Sequence, residues 1–328
     1  MASSLTTNFS INLLFVFFFS SYSLAAQKAP SRAQESFSTA IVLTDSEAIT
    51  FGIQNFNPNS FRVFENDDIG DDASLDLRNR VSVTTLPYSW VIDSPSPYFQ
   101  HEFSVRAGYV NFENEISLDE RPDLPADHDQ NEVFDGFFQY RLIWNITDTW
   151  NIKYGLGNHL MYFKNDHSYN SAESQQLQSQ LDGYVYNVSS RAYIAEPNIE
   201  LNYELYRKWG YWKYTSSFNY FYGKVWDQNR EYEFGNPKGW YMVNGLKANY
   251  RLANWFGYIP SAYTSVKRID LSGDPEASLG TDKYYELSLG VLLTPPILRD
   301  FVDNVGIGIS INYGSALKGG SLVLFFNE

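Results

Sequence analysis

Cysteine is absent from the 328 residues, and histidine (four) and methionine (three) are scarce. Without cysteine the chain has no disulfide framework, no thiolate metal site and no cysteine nucleophile. Basic charge is short as well. Only 24 Lys and Arg stand against 38 Asp and Glu, giving a formal charge of −14 and a pI near 4.7. Nucleic-acid binders carry a concentrated basic face, so no nucleic-acid partner is expected. Long apolar runs are also missing beyond residue 26, the longest later ones being about five residues, as at 322–326. That rules out helical membrane spans in the chain beyond the leader. What the chain has in excess is aromatic: 57 residues (24 Phe, 25 Tyr, 8 Trp), in a chain whose mean hydropathy is only −0.35. With 44% hydrophobic residues it is no disordered coil.

The one long apolar run lies at the start. Residues 11–19 read Ile-Asn-Leu-Leu-Phe-Val-Phe-Phe-Phe, followed by small residues up to Ala25 and Ala26. This reads as a secretory signal peptide over residues 1–25, although residues 1–8 lack the usual Lys or Arg. The apolar core is about half the length of a spanning helix, which argues against an uncleaved anchor. Export through an oxidising compartment agrees with the missing cysteine.

The dominant pattern afterwards is alternation with period two, the mark of a strand whose side chains point to opposite faces. In 134–146, Phe134, Phe138, Tyr140, Leu142 and Trp144 fall on one face, with Asp135, Gln139 and Arg141 on the other. Similar runs occur at 50–64, 75–87, 98–112, 150–162, 190–206, 211–226, 239–252, 255–270, 285–293, 305–313 and 319–327. That makes twelve, though Pro58 and Pro197 fall inside two of them and leave ten or fourteen open. Many exceed the five or six residues of soluble strands and match the 9–11 needed to cross a bilayer at a tilt. The apolar rows begin or end in Tyr, Trp or Phe, as two interfacial girdles require. One set of connections is long and acidic (65–74, 113–132, 163–182, 227–238, 271–281), while the other is mostly short (88–97, 147–149, 207–210, 253–254). Outer-membrane barrels have this phase, with long external loops and short periplasmic turns. The expected fold is therefore all-β: a transmembrane antiparallel β-barrel of about twelve strands over residues 50–328, in the bacterial outer membrane, with both termini periplasmic.

The face opposite the apolar rows should line the lumen. The charges expected there are Arg78, Arg80, Glu102, Arg106, Asp135, Arg141, Lys153, Glu200, Lys213, Lys247, Arg251 and Glu286. Their signs nearly balance, which suits salt bridges across the lumen better than the one-sided charge ring of a selective pore. Residues 26–49 are a candidate plug, with a short helix expected over 33–48 inside the lumen. Alternatives for that segment are a tail or a further strand at 39–43.

No metal or cofactor is expected. The acidic loops 65–74 and 113–132 lack the spacing of a calcium loop and read as solvated, mutually repelling segments. Catalysis needs a base with a defined partner. His101 and His159 lie in strands, and His128 and His167 fall in the expected external loops. Asp127 and Asp129 flank His128, but no pairing can be fixed from sequence, so no catalytic residue is assigned.

The closing runs at 305–314 (Val-Gly-Ile-Gly-Ile-Ser-Ile-Asn-Tyr-Gly) and 319–326 (Gly-Gly-Ser-Leu-Val-Leu-Phe-Phe), with Ala-Glu-Pro-Asn-Ile-Glu-Leu-Asn-Tyr at 195–203, resemble the translocator barrel of bacterial autotransporters. The resemblance is nearest to the solitary autotransporter-like barrels that carry no passenger, and covers 50–328. It implies twelve strands, a helix through the lumen and a non-enzymatic surface, structural or translocation-related role. Two features depart from the pattern: the chain ends Phe326-Asn327-Glu328 rather than on an aromatic, and 26–49 is too short for a passenger. Expected partners are outer-membrane lipid, lipopolysaccharide and the barrel-insertion machinery, with the protein a monomer. A small-solute channel is the alternative function, and a barrel lipase or protease comes third.

Overall fold

The computed structural model describes residues 31–46, 48–50, 81–116, 126–226, 235–252, 259–294, 304–314 and 319–326. Among the described residues, after one helix, α1 (Arg32–Thr44), twelve strands follow: β1 (Ile49–Thr50), β2 (Val81–Asp93), β3 (Phe99–Ile116), β4 (Asp127–Asn145), β5 (Trp150–Ser168), β6 (Ser189–Arg207), β7 (Gly210–Trp226), β8 (Lys238–Arg251), β9 (Ile259–Gly273), β10 (Lys283–Thr294), β11 (Val305–Gly314) and β12 (Gly319–Phe326). Two short helices sit in connections, α2 (Ala172–Leu181) and α3 (Asp274–Leu279). Every strand pairs antiparallel with its neighbours in sequence, and β1 joins β12 to β2, closing the barrel.

The ladders are long and unbroken where the sequence alternates longest. β3 and β4 pair from Phe99 with Trp144 to Ile116 with Asp127. Pro197 does not split β6. Its partner on β5 is Leu156, and the ladder to β7 skips only Glu196 and Pro197 before resuming in the same register. The missing N–H thus costs one local interruption rather than a strand.

Several boundaries differ from those read in the sequence. β2 runs to Asp93 rather than 87, which leaves a tight connection at 94–98. β3, β4 and β5 extend past the bilayer rows, so much of 113–132 and 163–168 is strand. At about 3.3 Å per residue, a 19-residue strand such as β4 or β5 is twice what a membrane crossing needs. Acidic, polar composition signalled loops there, yet the ladder hydrogen bonds do not depend on side-chain hydropathy. The first expected strand and its Pro58, loop 65–74, Arg78 and Arg80 lie outside the described residues.

The tight turns have local causes. Between β4 and β5, Thr147 Oγ1 accepts from the backbone N–H of Thr149 and Trp150 at 3.2 and 3.0 Å. Between β6 and β7, Gly210 holds φ +147°, and a Cβ there would fall 1.9 Å from the Asn249 carbonyl oxygen. Only glycine permits that approach.

The outer surface carries two aromatic rows with aliphatics between them. Towards the short turns stand Phe99, Trp144, Trp150 and Tyr250; towards the long connections stand Phe134, Tyr193, Tyr222, Tyr285 and Tyr313, all exposed. Leu156, Leu160, Leu246, Val266 and Ile307 fill the band between. This is the lipid-facing arrangement of a membrane barrel.

Candidate functional site

The feature that decides what this barrel can do is its lumen. α1 starts at Ser31, whose hydroxyl caps the helix by accepting from the Gln34 N–H at 3.2 Å. The helix lies inside the barrel. Ala33, Phe37, Ser38, Thr39, Ala40 and Ile41 are fully buried. Around it the inward faces are apolar: Val81, Val110, Val133, Phe163, Ile194, Phe221 and Leu271 belong to one core with the helix. Phe37 meets Phe163 edge to face, centroids 6.0 Å apart. The half of the lumen nearer the long connections is therefore packed like a soluble core.

Both ends of α1 are fastened. At its N-terminal end Arg32 pairs with Asp129 on β4 at 3.0 Å and lies over the Tyr186 ring. Gln34 and Ser38 donate to Asp274 at 2.9 and 3.3 Å, and the Lys238 N–H reaches the same oxygen at 2.8 Å. At the other end Asp45, the C-cap residue, pairs with Arg106 at 2.9 Å. Gly108 admits the Thr44 side chain; a Cβ there would lie 2.8 Å from the Thr44 methyl. α1 thus descends from the long-connection rim to mid-barrel. Ser31, which caps the helix, sits at that rim.

Below α1 the walls are charged. Arg106 stacks on Phe137, 4.3 Å from its centroid. Beside it His159, fully buried, donates from Nδ1 to Asp135 at 3.0 Å and presents Nε2 3.4 Å from Glu196. Tyr241 donates to Glu196 at 3.3 Å. Deeper still, Arg141 bridges Glu102 (2.8 Å) and Glu200 (3.1 Å), and Lys153 bridges the same two carboxylates at 2.9 and 3.6 Å. Apart from His159 and Asp135, which lie behind the wall, these groups border a chamber of about 590 Å³, which Lys213, Lys247, Lys267 and Glu286 also line. Lys267 pairs with Glu286 at 3.2 Å.

Of the charges expected in the lumen, Glu102, Arg106, Asp135, Arg141, Lys153, Glu200, Lys213, Lys247 and Glu286 line that chamber or join its ion pairs. Arg251 shares the inward parity but ends β8 and is exposed. Sequence reasoning passed over His159 as a partnerless strand residue. Its partners come from diagonal positions on the two flanking strands: Asp135 lies next but one to Phe137, and Glu196 next but one to Ile194, the two residues that face His159. Alternation marked all three as inward; only the register could join them.

The rim cluster corrects a second expectation. His128 and His167 are strand residues, not loop residues. Asp127 and Asp129 are buried, with His167 Nδ1 3.1 Å from Asp129 and its ring stacked on Tyr186 at 3.6 Å. Asp127 accepts from the N–H groups of Asn170 and Ser171 and from the Ser174 hydroxyl. Asp129 accepts from Arg32 and Asn165. Ser174 donates to the carboxylate rather than to His167, so no nucleophile–base pair forms in this cluster. It ties α1 and the 169–188 connection to the barrel rim. Among the described residues no group of three or more His, Asp or Glu has metal-binding geometry.

A closed twelve-stranded barrel with a helix through its lumen can be set beside known families. Residues 34–328 match the family described as the solitary outer membrane autotransporter beta-barrel domain. The chain belongs to that family. Membership carries the bacterial outer membrane as its location and an autotransporter-type barrel without a passenger as its kind. Similar solved structures include the β domain of the Bordetella autotransporter BrkA, 12% identical with a TM-score of 0.44, covering 75% of this chain and 91% of that one. The transport unit of the Escherichia coli autotransporter AIDA-I is 10% identical with a TM-score of 0.43, covering 76% and 85%. LpxR from Salmonella typhimurium is 11% identical with a TM-score of 0.37, covering 77% and 91%. Curated protein sequences gave no match.

Proposed function

We propose that this autotransporter-type barrel works as a plugged, non-enzymatic outer-membrane protein, with a surface, structural or translocation-related role rather than solute conduction. The observation that carries the reading is the burial of α1 in an apolar lumen. A porin keeps inward side chains polar along the strand so that water fills the pore. Here the outer half of the inward face is apolar and needs the helix to cover it. The chamber below opens onto paired charges of both signs, which offers no one-sided field to select a solute. The protein is proposed to stand as a monomer among lipid and lipopolysaccharide, delivered by the barrel-insertion machinery.

Planar-bilayer recording tests this. The full chain should insert and stay closed, and a variant lacking 26–49 should conduct in brief, unsteady openings, because the emptied apolar half wets poorly. Steady conductance by the intact protein would favour the porin reading. Release of fatty acid or peptide by the purified protein would instead favour a barrel enzyme.

A further inference from the structure

The outward face holds a second pattern that the plugged-barrel reading does not use. At or above the aromatic row nearer the long connections, six consecutive strands, β5 to β10, each place one basic side chain on the lipid-facing parity: Lys164, Arg191, Lys224, Lys238, Arg268 and Lys283. All six are exposed. The first four members follow the slope of the tilted ladder. Arg191 faces Tyr162, two residues from Lys164; Lys224 faces Tyr193, two from Arg191; and Lys238 faces Tyr222, two from Lys224. Arg268 faces Asn244, six residues along β8 from Lys238 and level with the Tyr285 row, and Lys283 faces Asp270, two residues back towards the long connections. The constant step across β5 to β8 keeps Lys164, Arg191, Lys224 and Lys238 near one height on a tilted sheet.

In a chain of net charge −14, an alignment of cations on one side of one belt is charge placed against the general trend. Lys164, Arg268 and Lys283 have neighbouring acids, Asp166, Asp270 and Asp282. Arg191, Lys224 and Lys238 occupy three successive strands between them, and Arg191 lies over the Tyr162 ring. Long basic side chains above an aromatic girdle lie along the apolar surface and put their charged ends at headgroup level.

We infer that this belt, centred on Arg191, Lys224 and Lys238, binds phosphate-bearing headgroups of anionic lipid in the leaflet on the long-connection side. The inference rests on the outer-membrane barrel reading and names the lipid chemistry that its surface selects. Each basic group near an anionic surface adds to binding, and salt screens the effect.

The test uses the full chain in phosphatidylcholine vesicles and its own tryptophans, since Trp226 and Trp240 flank the belt on β7 and β8. Quenching by bromine-labelled phosphatidic acid is compared with quenching by bromine-labelled phosphatidylcholine. The phosphate monoester lipid should bind at least about five-fold more strongly at low salt. The Arg191→Gln, Lys224→Gln, Lys238→Gln variant should bind both lipids alike, and free inorganic phosphate should not displace the lipid. Equal quenching by both lipids in the wild type would overturn the inference, as would a preference that survives in the triple variant. Displacement by free phosphate would overturn the lipid assignment. Insertion is scored separately by heat-modifiable migration: a protein that inserts without preference refutes only the belt, whereas one that fails to insert refutes the barrel reading.

Discussion

Truncating Phe37 to alanine should unseat α1 without opening the barrel. Phe37 is fully buried, with Phe163 against its edge and the apolar lumen wall around it. Removing a buried phenyl ring costs about 3–5 kcal/mol, as lost transfer energy plus the cavity left behind. Each 1.4 kcal/mol changes a population tenfold, so the unseated fraction should rise by roughly 100- to 3000-fold. The absence of native cysteine makes this readable. Ser38→Cys places a thiol on a fully buried position with little change in volume, at the loss of one 3.3 Å hydrogen bond. When opening is fast relative to labelling, the reaction rate of that thiol with a membrane-impermeant maleimide tracks the open population. Adding Phe37→Ala should make the thiol label about 100-fold faster or more, while unboiled migration on a gel stays that of a folded barrel. Equal rates in the two backgrounds would refute the plug, because a helix held elsewhere would not feel the lost ring. So would rapid labelling of the Ser38→Cys protein without the second change.

Three further outcomes follow from other contacts. Arg141→Ala leaves the buried Glu102 and the partly buried Glu200 with Lys153 as their shared bridging partner, so barrel stability should fall by about 3–5 kcal/mol, seen as a lower urea midpoint. Asp274→Ala strands the Gln34 donor and the Lys238 N–H and should speed labelling of the Ser38→Cys thiol; Asp274→Asn, which keeps an acceptor oxygen, should do so less. Burial, and then the Asp274 charge, raise the Glu35 carboxyl above its ordinary range. The seated helix therefore binds the Glu35 proton more tightly than the unseated one, so seating should weaken as pH rises from the ordinary carboxylate range through the raised value. With the same thiol as reporter, the ratio of labelling rates without and with Glu35→Gln should rise over that interval, and a flat ratio would contradict it.

Most of the architecture was legible in the sequence because a membrane barrel writes its two faces into alternate residues. The rows through Phe134, Phe138 and Tyr140 or Leu289 and Val291 name their lipid face directly. Strand ends were harder where the chain leaves the bilayer. Asp127, Asp129 and His167 sit in ladders whose side chains are polar, so composition read them as loop. The buried His159 pair with Asp135 could not be read either. Parity assigns a side but not a height, and the register that sets the height is fixed by turns such as the one Gly210 permits. The basic belt was hidden for the same reason: its neighbouring members lie 14 to 33 residues apart in sequence, and only the tilt of the sheet brings Lys164, Arg191, Lys224 and Lys238 level.

The helix was legible for a different reason than the one that makes it necessary. Its own sequence is only weakly apolar, with Arg, Gln, Glu, Ser and Thr among its residues, and alone it suggests no more than a short amphipathic segment. The strands carry the stronger signal. Val81, Val83, Val110, Val133, Phe163, Ile194, Phe221, Val225 and Leu271 all lie on the inward parity, and all fall in the half nearer the long connections. An empty barrel would leave those side chains facing water, at a cost of about 25 cal/mol for every Å² exposed. The polar half below them carries charges that pair across the wall and tolerate water. A barrel that is apolar inward at one end and charged at the other specifies where its plug ends, and Asp45 meets Arg106 at that border. Restoring a stably open pore should therefore take more than deleting the helix. The inward valines would also have to become polar, since otherwise the emptied half is driven to collapse, to close over, or to take up other apolar groups.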